Sequence, residues 1–315
     1  MKYIFYIALS LLIFTSCTKE VEIDIPGYEE ELVIDGVIET GAPPFVMITK
    51  TKDIYAPTDI DAFLNGFVSG AVITVSDGTN SVILDEICSN NLPPGMEAIA
   101  AEMFGIPASE LANYQICAYF TTDPSMFGQV GKTYQLTVEL DGNTYESSTT
   151  IVQPTYLDSV WWKPEPSTPN HGFSWAFLSD PPAKGDAYKW QVKRINIGPD
   201  GEPLDKNFEV PFSPVTDDEF FNGLAFEFAY ENPFAFEPDT PEEHLGLYPL
   251  GDTVVIKFSK MDLQVYEYME KKYLQLQTAG NPFATPTNIP NNITGGALGV
   301  WAGYSPTYDT LICQP

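Results

Sequence analysis

Apolar and polar residues alternate with a period of two along most of this chain, a pattern that predicts strands buried on one face. Leu32–Ile34 and Val37–Ile38 flank Asp35-Gly36, and Phe45–Thr49 follows a Gly/Pro turn at 41–44. Ala71–Ser76 runs into Asp77-Gly78 before Ser81–Leu84, and Tyr134–Leu140 runs into Asp141-Gly142-Asn143 before Thr144–Ile151. Asp-Gly between two such runs is a strong hairpin signal. Further strands are expected at Leu157–Trp162, Gly172–Leu178, Tyr188–Ile195, Phe208–Phe212, Leu224–Tyr230 and Thr253–Ser259. Short β-branched and aromatic runs separated by turns predict antiparallel sandwiches, with a boundary at Gln153-Pro154.

Two stretches leave this rhythm. Residues 96–113 lean towards helix, broken at Pro107, and form an insertion that caps one end of the first sandwich. Residues 260–279 predict a helix opened by a Ser259/Asp262 capping box and stopped at Gly280 and Pro282. Its stripe of Tyr266, Met269, Tyr273 and Leu276 is expected to pack on the second sheet.

The amino terminus follows a different rule. Lys2 precedes Tyr3–Phe14, an uncharged run too short for a helix that spans about 30 Å of bilayer. Small residues Thr15 and Ser16 come next, then Cys17. The run matches a secretory leader over 1–16. A cysteine straight after it resembles the bacterial lipobox, with Phe14 where leucine is usual. Cys17 is therefore expected to carry diacylglycerol and, once processed, a further acyl chain such as palmitate. Several acyl chains, at about 0.8 kcal/mol per buried methylene, anchor durably. Residues 17–25 then form a charged tether, and Lys19-Glu20 with Glu22 and Asp24 resembles the surface-export signal of lipoproteins in the phylum Bacteroidota.

Composition narrows the function. Of 315 residues, 43 are acidic and 15 basic, for a net charge of −28. Such a surface repels nucleic acid, so that class of partner is excluded. Cys88 and Cys117 are expected to pair in an oxidising envelope, which leaves Cys313 as a free thiol.

The search for catalytic chemistry is short. His171 and His244 are the two histidines, both placed in Pro-rich loops with no G-x-S-x-G elbow beside them. Acidic pairs such as Asp217-Asp218 and Glu242-Glu243 are what an acidic chain produces, and no calcium-loop spacing accompanies them. No catalytic residue, metal or cofactor is expected. Ligand or partner contact is expected instead from aromatic residues among carboxylates: Trp162, Phe220, Phe221, Tyr230, Phe234 and Phe236.

Several phrases accumulate in order: Lys19–Pro26, Glu31–Glu39, Val68–Gly78, Gly131–Val138, Asp141–Tyr145 and Asn292–Trp301 (NITGGALGVW). Together they resemble the Bacteroidota outer-membrane lipoproteins of domain-of-unknown-function family 4249. The resemblance implies a first sandwich similar to carboxypeptidase regulatory-like or transthyretin-like domains, and a second of immunoglobulin-like or fibronectin-like type. It also implies a place beside a TonB-dependent receptor, since such lipoproteins are encoded near receptor barrels. It carries no catalytic residue.

The chain thus reads as mainly β: leader 1–16, lipidated tether 17–25, sandwich 26–153, and sandwich 154–315 with its helix. Its expected role is a non-enzymatic lipoprotein at the cell surface of the outer membrane, accessory to a TonB-dependent receptor in nutrient binding or uptake. The alternative is a free-standing carbohydrate- or peptide-binding adhesin.

Overall fold

The computed structural model describes residues 29–51, 66–92, 106–199, 201–236, 238–278 and 288–314, with isolated positions between 95 and 101. The leader and Cys17 lie outside the described residues, as does part of the expected helical insertion; its second part carries a short 3-10 helix at Leu111–Asn113. From Glu31 onwards the described residues form one compact unit.

The first half of the chain supplies β1 (Leu32–Glu39), β2 (Phe45–Lys50), β3 (Val72–Ser76), β4 (Ser81–Ile83), β5 (Asp85–Cys88), β6 (Cys117–Phe120), β7 (Thr133–Leu140) and β8 (Asn143–Thr150). The second supplies β9 (Ser159–Glu165), β10 (Thr168–Ser179), β11 (Ala187–Arg194), β12 (Val215–Asp217), β13 (Ala225–Tyr230), β14 (Tyr248–Pro249) and β15 (Thr253–Met261). Helix α1 (Leu263–Thr278) and β16 (Leu298–Ile312) close the chain. The architecture is mainly β, as the alternation predicts.

One eight-stranded sheet, in the order β12-β11-β15-β16-β1-β2-β6-β5, runs through both halves. Its middle is the parallel pair β1 and β16, joined from Val33↔Leu298 to Glu39↔Tyr304. Two four-stranded sheets pack against it. The sheet β4-β3-β7-β8 encloses a first core with Ile34, Ile38, Val46, Ile48 and Trp301. The sheet built on β10, flanked by β9 on one side and β13 and β14 on the other, encloses a second core with Tyr188, Trp190, Val192, Ile256 and Phe258. Two sandwich cores therefore form, the first taking Ile293, Ala297 and Trp301 from the far end of the chain, and a shared sheet joins them.

β16 explains this arrangement. Its alternation sends Trp301 into the first core and Leu311 and Cys313 into the second, while Val300, Ala302 and Tyr304 face a third cluster under α1. The strand runs unbroken from Leu298 to Ile312, past Pro306. Asp35-Gly36, which reads as a turn, lies inside the continuous strand β1. Gly36 is there for space: a Cβ would sit 2.6 Å from Cε3 of Trp301, its register partner. Asp141-Gly142 does turn, with φ of 51° and 79°, as a tight hairpin between β7 and β8 demands.

α1 begins later than its pattern suggests. Asp262 caps it, its carboxylate accepting from Val265 N at 2.9 Å, whereas Ser259 is buried within β15. Val265, Tyr268 and Met269 are its buried residues, and the expected stripe member Leu276 is 61% exposed. The helix covers the reverse face of the large sheet rather than the second small sheet.

Candidate functional site

The second sandwich does not close. Between β12 and β13 a cleft of about 350 Å³ opens to its aromatic interior. Its walls are Val215 and Thr216 on one side and Phe226, Phe228 and Tyr230 on the other; Tyr188, Trp190 and Phe258 form the floor. The local sequence accounts for this. Along β13, AFEFAY turns Phe226, Phe228 and Tyr230 towards the core and leaves Ala225, Glu227 and Ala229 exposed. Along β11, Tyr188, Trp190 and Val192 alternate onto the same interior.

The rings are arranged as a set. Trp190 stacks on Tyr230 at 4.8 Å and meets Phe228 edge-on at 5.6 Å, and Tyr188 stacks on Phe258 at 5.0 Å. Such pairs add about 0.5–1.5 kcal/mol beyond burial and hold the walls in place. Burial, followed by the nearby Glu231 charge, pushes the Tyr230 phenol up to about 12. Burial and the bond to Asp180 raise the Tyr188 phenol further, so both are neutral hydroxyls at physiological pH. The cleft can receive an apolar or ring-bearing group of side-chain to small-ligand size.

Carboxylates at the rim tie loops together. Asp180 accepts from the Tyr188 hydroxyl at 2.6 Å and from Gly223 N at 2.9 Å. Asp218, 2% exposed, accepts from Gly185 N at 2.8 Å and 3.0 Å through its two oxygens. These are turn-closing roles, in which a buried carboxylate is held by backbone donors.

The six aromatic residues expected to form one contact surface are spread over five places. Phe221 and Tyr230 line the cleft. Phe220 is 87% exposed and is not part of the lining. Phe234 lies under the Arg194 guanidinium at 4.4 Å, which Asp205 holds by a bidentate ion pair. Phe236 lines a shallow apolar groove with Phe212, Tyr273 and Leu276. Trp162 is a core residue, 4% exposed, donating from Nε1 to Tyr248 O at 3.2 Å. Of the Trp pair it is Trp161 that faces outwards, because neighbours on a strand point to opposite faces. There it stacks with Trp175 at 6.2 Å, and Lys163 Nζ sits 4.8 Å over the Trp175 ring.

Sequence reasoning missed Tyr188, Trp190 and Phe258. The alternation within YKWQV was the available signal for the first two, but only pairing with β15 places Phe258 beside them. It also misplaced His171, expected in a loop, whereas His244 does lie in the Pro-rich segment between β13 and β14. His171 is on β10, and its ring stacks on that of His244 with centroids 3.7 Å apart and planes 12° apart. Arg194 and Asp239 line the same hollow. Burial first, and the neighbouring His244 second, hold the His171 pKa below its ordinary value.

Cys88 and Cys117 are joined by a disulfide across the directly opposed ends of β5 and β6. Glu86 lies close to both sulfurs, but bonded sulfurs offer no thiolate to a metal. Glu86 instead accepts from the Tyr119 hydroxyl at 2.6 Å and from Gly70 N at 2.7 Å. Cys313 is a free, buried thiol that burial pushes up to about 12.

A family model described as a domain of unknown function, DUF4249, matches residues 18–309. The chain belongs to that family. No curated protein and no solved structure matches it. This DUF4249 chain has no helix among its described residues long and apolar enough to cross a membrane.

Proposed function

We propose that this DUF4249 protein is a non-enzymatic lipoprotein of the outer-membrane surface, held there by acylated Cys17, that binds a ligand or partner through the cleft of its second sandwich. In this reading it is an accessory to a TonB-dependent receptor and works in nutrient binding or uptake. The observation that carries the binding role is the cleft itself. Seven aromatic side chains, including Trp190 and Tyr230, line an opening that a closed sandwich core would fill. The lipobox-like leader and the likeness to receptor-associated lipoproteins support the location and the partner.

The test is purification of the native protein in detergent after mild crosslinking. A barrel receptor recovered in stoichiometric amount, together with an acylated amino-terminal peptide by mass spectrometry, is the expected result. An unmodified terminus and a freely soluble protein would remove the basis of the reading.

A second reading, a free-standing glycan-binding adhesin, is favoured by Trp161 and Trp175 on the outer face of β9 and β10. Paired indoles on a sheet surface suit stacking against sugar rings. Binding of the mature chain to a glycan array, lost in Trp175→Ala, would select it.

A further inference from the structure

The cleft has a second property besides its aromatic lining: both of its lips are sheet edges. β12 ends the eight-stranded sheet, and among the described residues β13 pairs with β10 alone. The two edges differ. β12 is three residues long and packs against α1, which leaves little backbone to pair with. β13 is six residues long, holds no Pro, Lys or Arg, and keeps one row of backbone N–H and C=O groups without a partner strand. A free edge of this kind is a template for another strand unless it is blunted by charge, a bulge or brevity.

Charge selects what adds there. Asp217 is on β12, Glu219 follows it, Glu227 is at the exposed centre of β13, and Glu231 follows β13. Among the described residues no Lys or Arg lines the cleft. Of these, Glu227 sits within the free edge itself: an acidic residue placed beside it would meet like charge, whereas a basic one would complement it.

We propose that the free edge of β13 accepts an extended segment of a partner protein as an added strand. Its alternate apolar or aromatic side chains enter the cleft, and Lys or Arg residues between them face Glu227 and its neighbours. Backbone hydrogen bonds to β13 supply affinity, and the aromatic cleft reads every second side chain. Six residues of β13 span roughly 20 Å, enough to pair a partner strand of ordinary length. The proposal rests on the reading of the cleft as a binding site and names the kind of partner it takes.

The test uses the mature chain, residues 17–315, purified without acyl groups, and a labelled peptide of sequence Lys-Phe-Lys-Val-Lys-Phe-Lys. Three relatives of the peptide are compared by fluorescence anisotropy: a same-composition isomer with its lysines grouped, and two versions N-methylated at alternate amides in the two phases. The expected result is at least tenfold weaker binding of the grouped isomer. One N-methylated phase should also lose at least tenfold, while the other, whose methyls point away from β13, binds like the parent. Glu227→Lys, at an exposed position, should weaken the parent peptide several-fold without unfolding the chain.

Equal binding of all four peptides would mean that charge alone attracts them, and would overturn the proposal. The cleft is tested apart from the edge with the neutral dye Nile red, whose blue-shifted emission should saturate and be lost in Ser213→Trp, a plug at the lining. Dye binding without selective peptide binding leaves the cleft standing and sinks strand addition. Failure of both sinks the binding role of the cleft as well.

Discussion

The two cores on the shared sheet are built from the same strand grammar but end differently. The first is sealed. Trp301 is fully buried in it and donates from Nε1 to Tyr134 O at 2.9 Å, and the Cys88–Cys117 disulfide closes the far edge of the same sheet. The second has more and larger rings, yet leaves a cleft between β12 and β13. The first core is mostly aliphatic around three buried rings, Tyr119, Tyr134 and Trp301, whereas the second gathers its rings where β12 and β13 do not pair with each other. The first core thus serves stability, and the second spends part of its burial on an opening.

That comparison can be broken most sharply at Trp301. Trp301→Ala should cost about 3–5 kcal/mol, because it empties a fully buried site under Gly36. Since β16 serves both cores, urea unfolding followed by near-ultraviolet circular dichroism should show the whole unit shift together. Two separated transitions would show that the cores are independent.

Opening the disulfide is the next largest step. The bridge spans 29 residues, for which loop entropy gives about 3–4 kcal/mol. Cys88→Ser with Cys117→Ser should lower the urea midpoint accordingly and leave Nile red binding at the second core intact.

Phe228→Ala sharpens the contrast from the other side. The ring is partly buried and already borders a cavity, so its removal should cost only about 1–2 kcal/mol while binding in the cleft falls. A loss as large as that at Trp301 would mean that the cleft side is as tightly packed as the first core.

Under α1 the shared sheet carries a pH signature. Lys189 Nζ lies 5.4 Å over the Tyr304 ring; burial first, and Lys257 second, bring its pKa down from 10.5 to about 8. Between those values the unfolded chain holds a proton that the folded chain has released. Stability therefore rises with pH from about 8 towards 10.5 and is lost as pH falls back to 8, at no more than about 1.4 kcal/mol per pH unit. Urea titrations from pH 8 to 9.5 should show a positive slope that Lys189→Met removes.

The smallest effect belongs to the stacked histidines of the second half. The His171 pKa is depressed by burial and by His244, so its contribution is present above the ordinary histidine value and is lost as pH falls through the folded one. Stability should decline modestly below pH 6.5, and His171→Phe should flatten that decline. Histidine NMR titration checks the direction.

Much of this was legible one strand at a time. The Asp-Gly hairpin of β7 and β8, the alternation of β11 and β13, the opposite facing of Trp161 and Trp162, and the approximate extent of α1 are local consequences of backbone geometry and side-chain period. The site was legible only in part. Aromatic residues from Phe220 to Phe236 were visible as a group, but their strands and loops carry them to different faces.

By itself the sequence determined that the chain folds into mainly β sandwiches, that its surface is strongly acidic, and which residues of each strand face inwards, because these depend on period and composition. Only tertiary structure decided which edges meet. Asp35-Gly36 has the local chemistry of a turn, yet becomes mid-strand because Trp301, arriving 265 positions later, needs the space that a missing Cβ leaves. Likewise, nothing within AFEFAY states that its edge stays free. That depends on where β12 ends and on which strand takes the other side of β10, and long-range pairing of this kind leaves no mark in a local pattern.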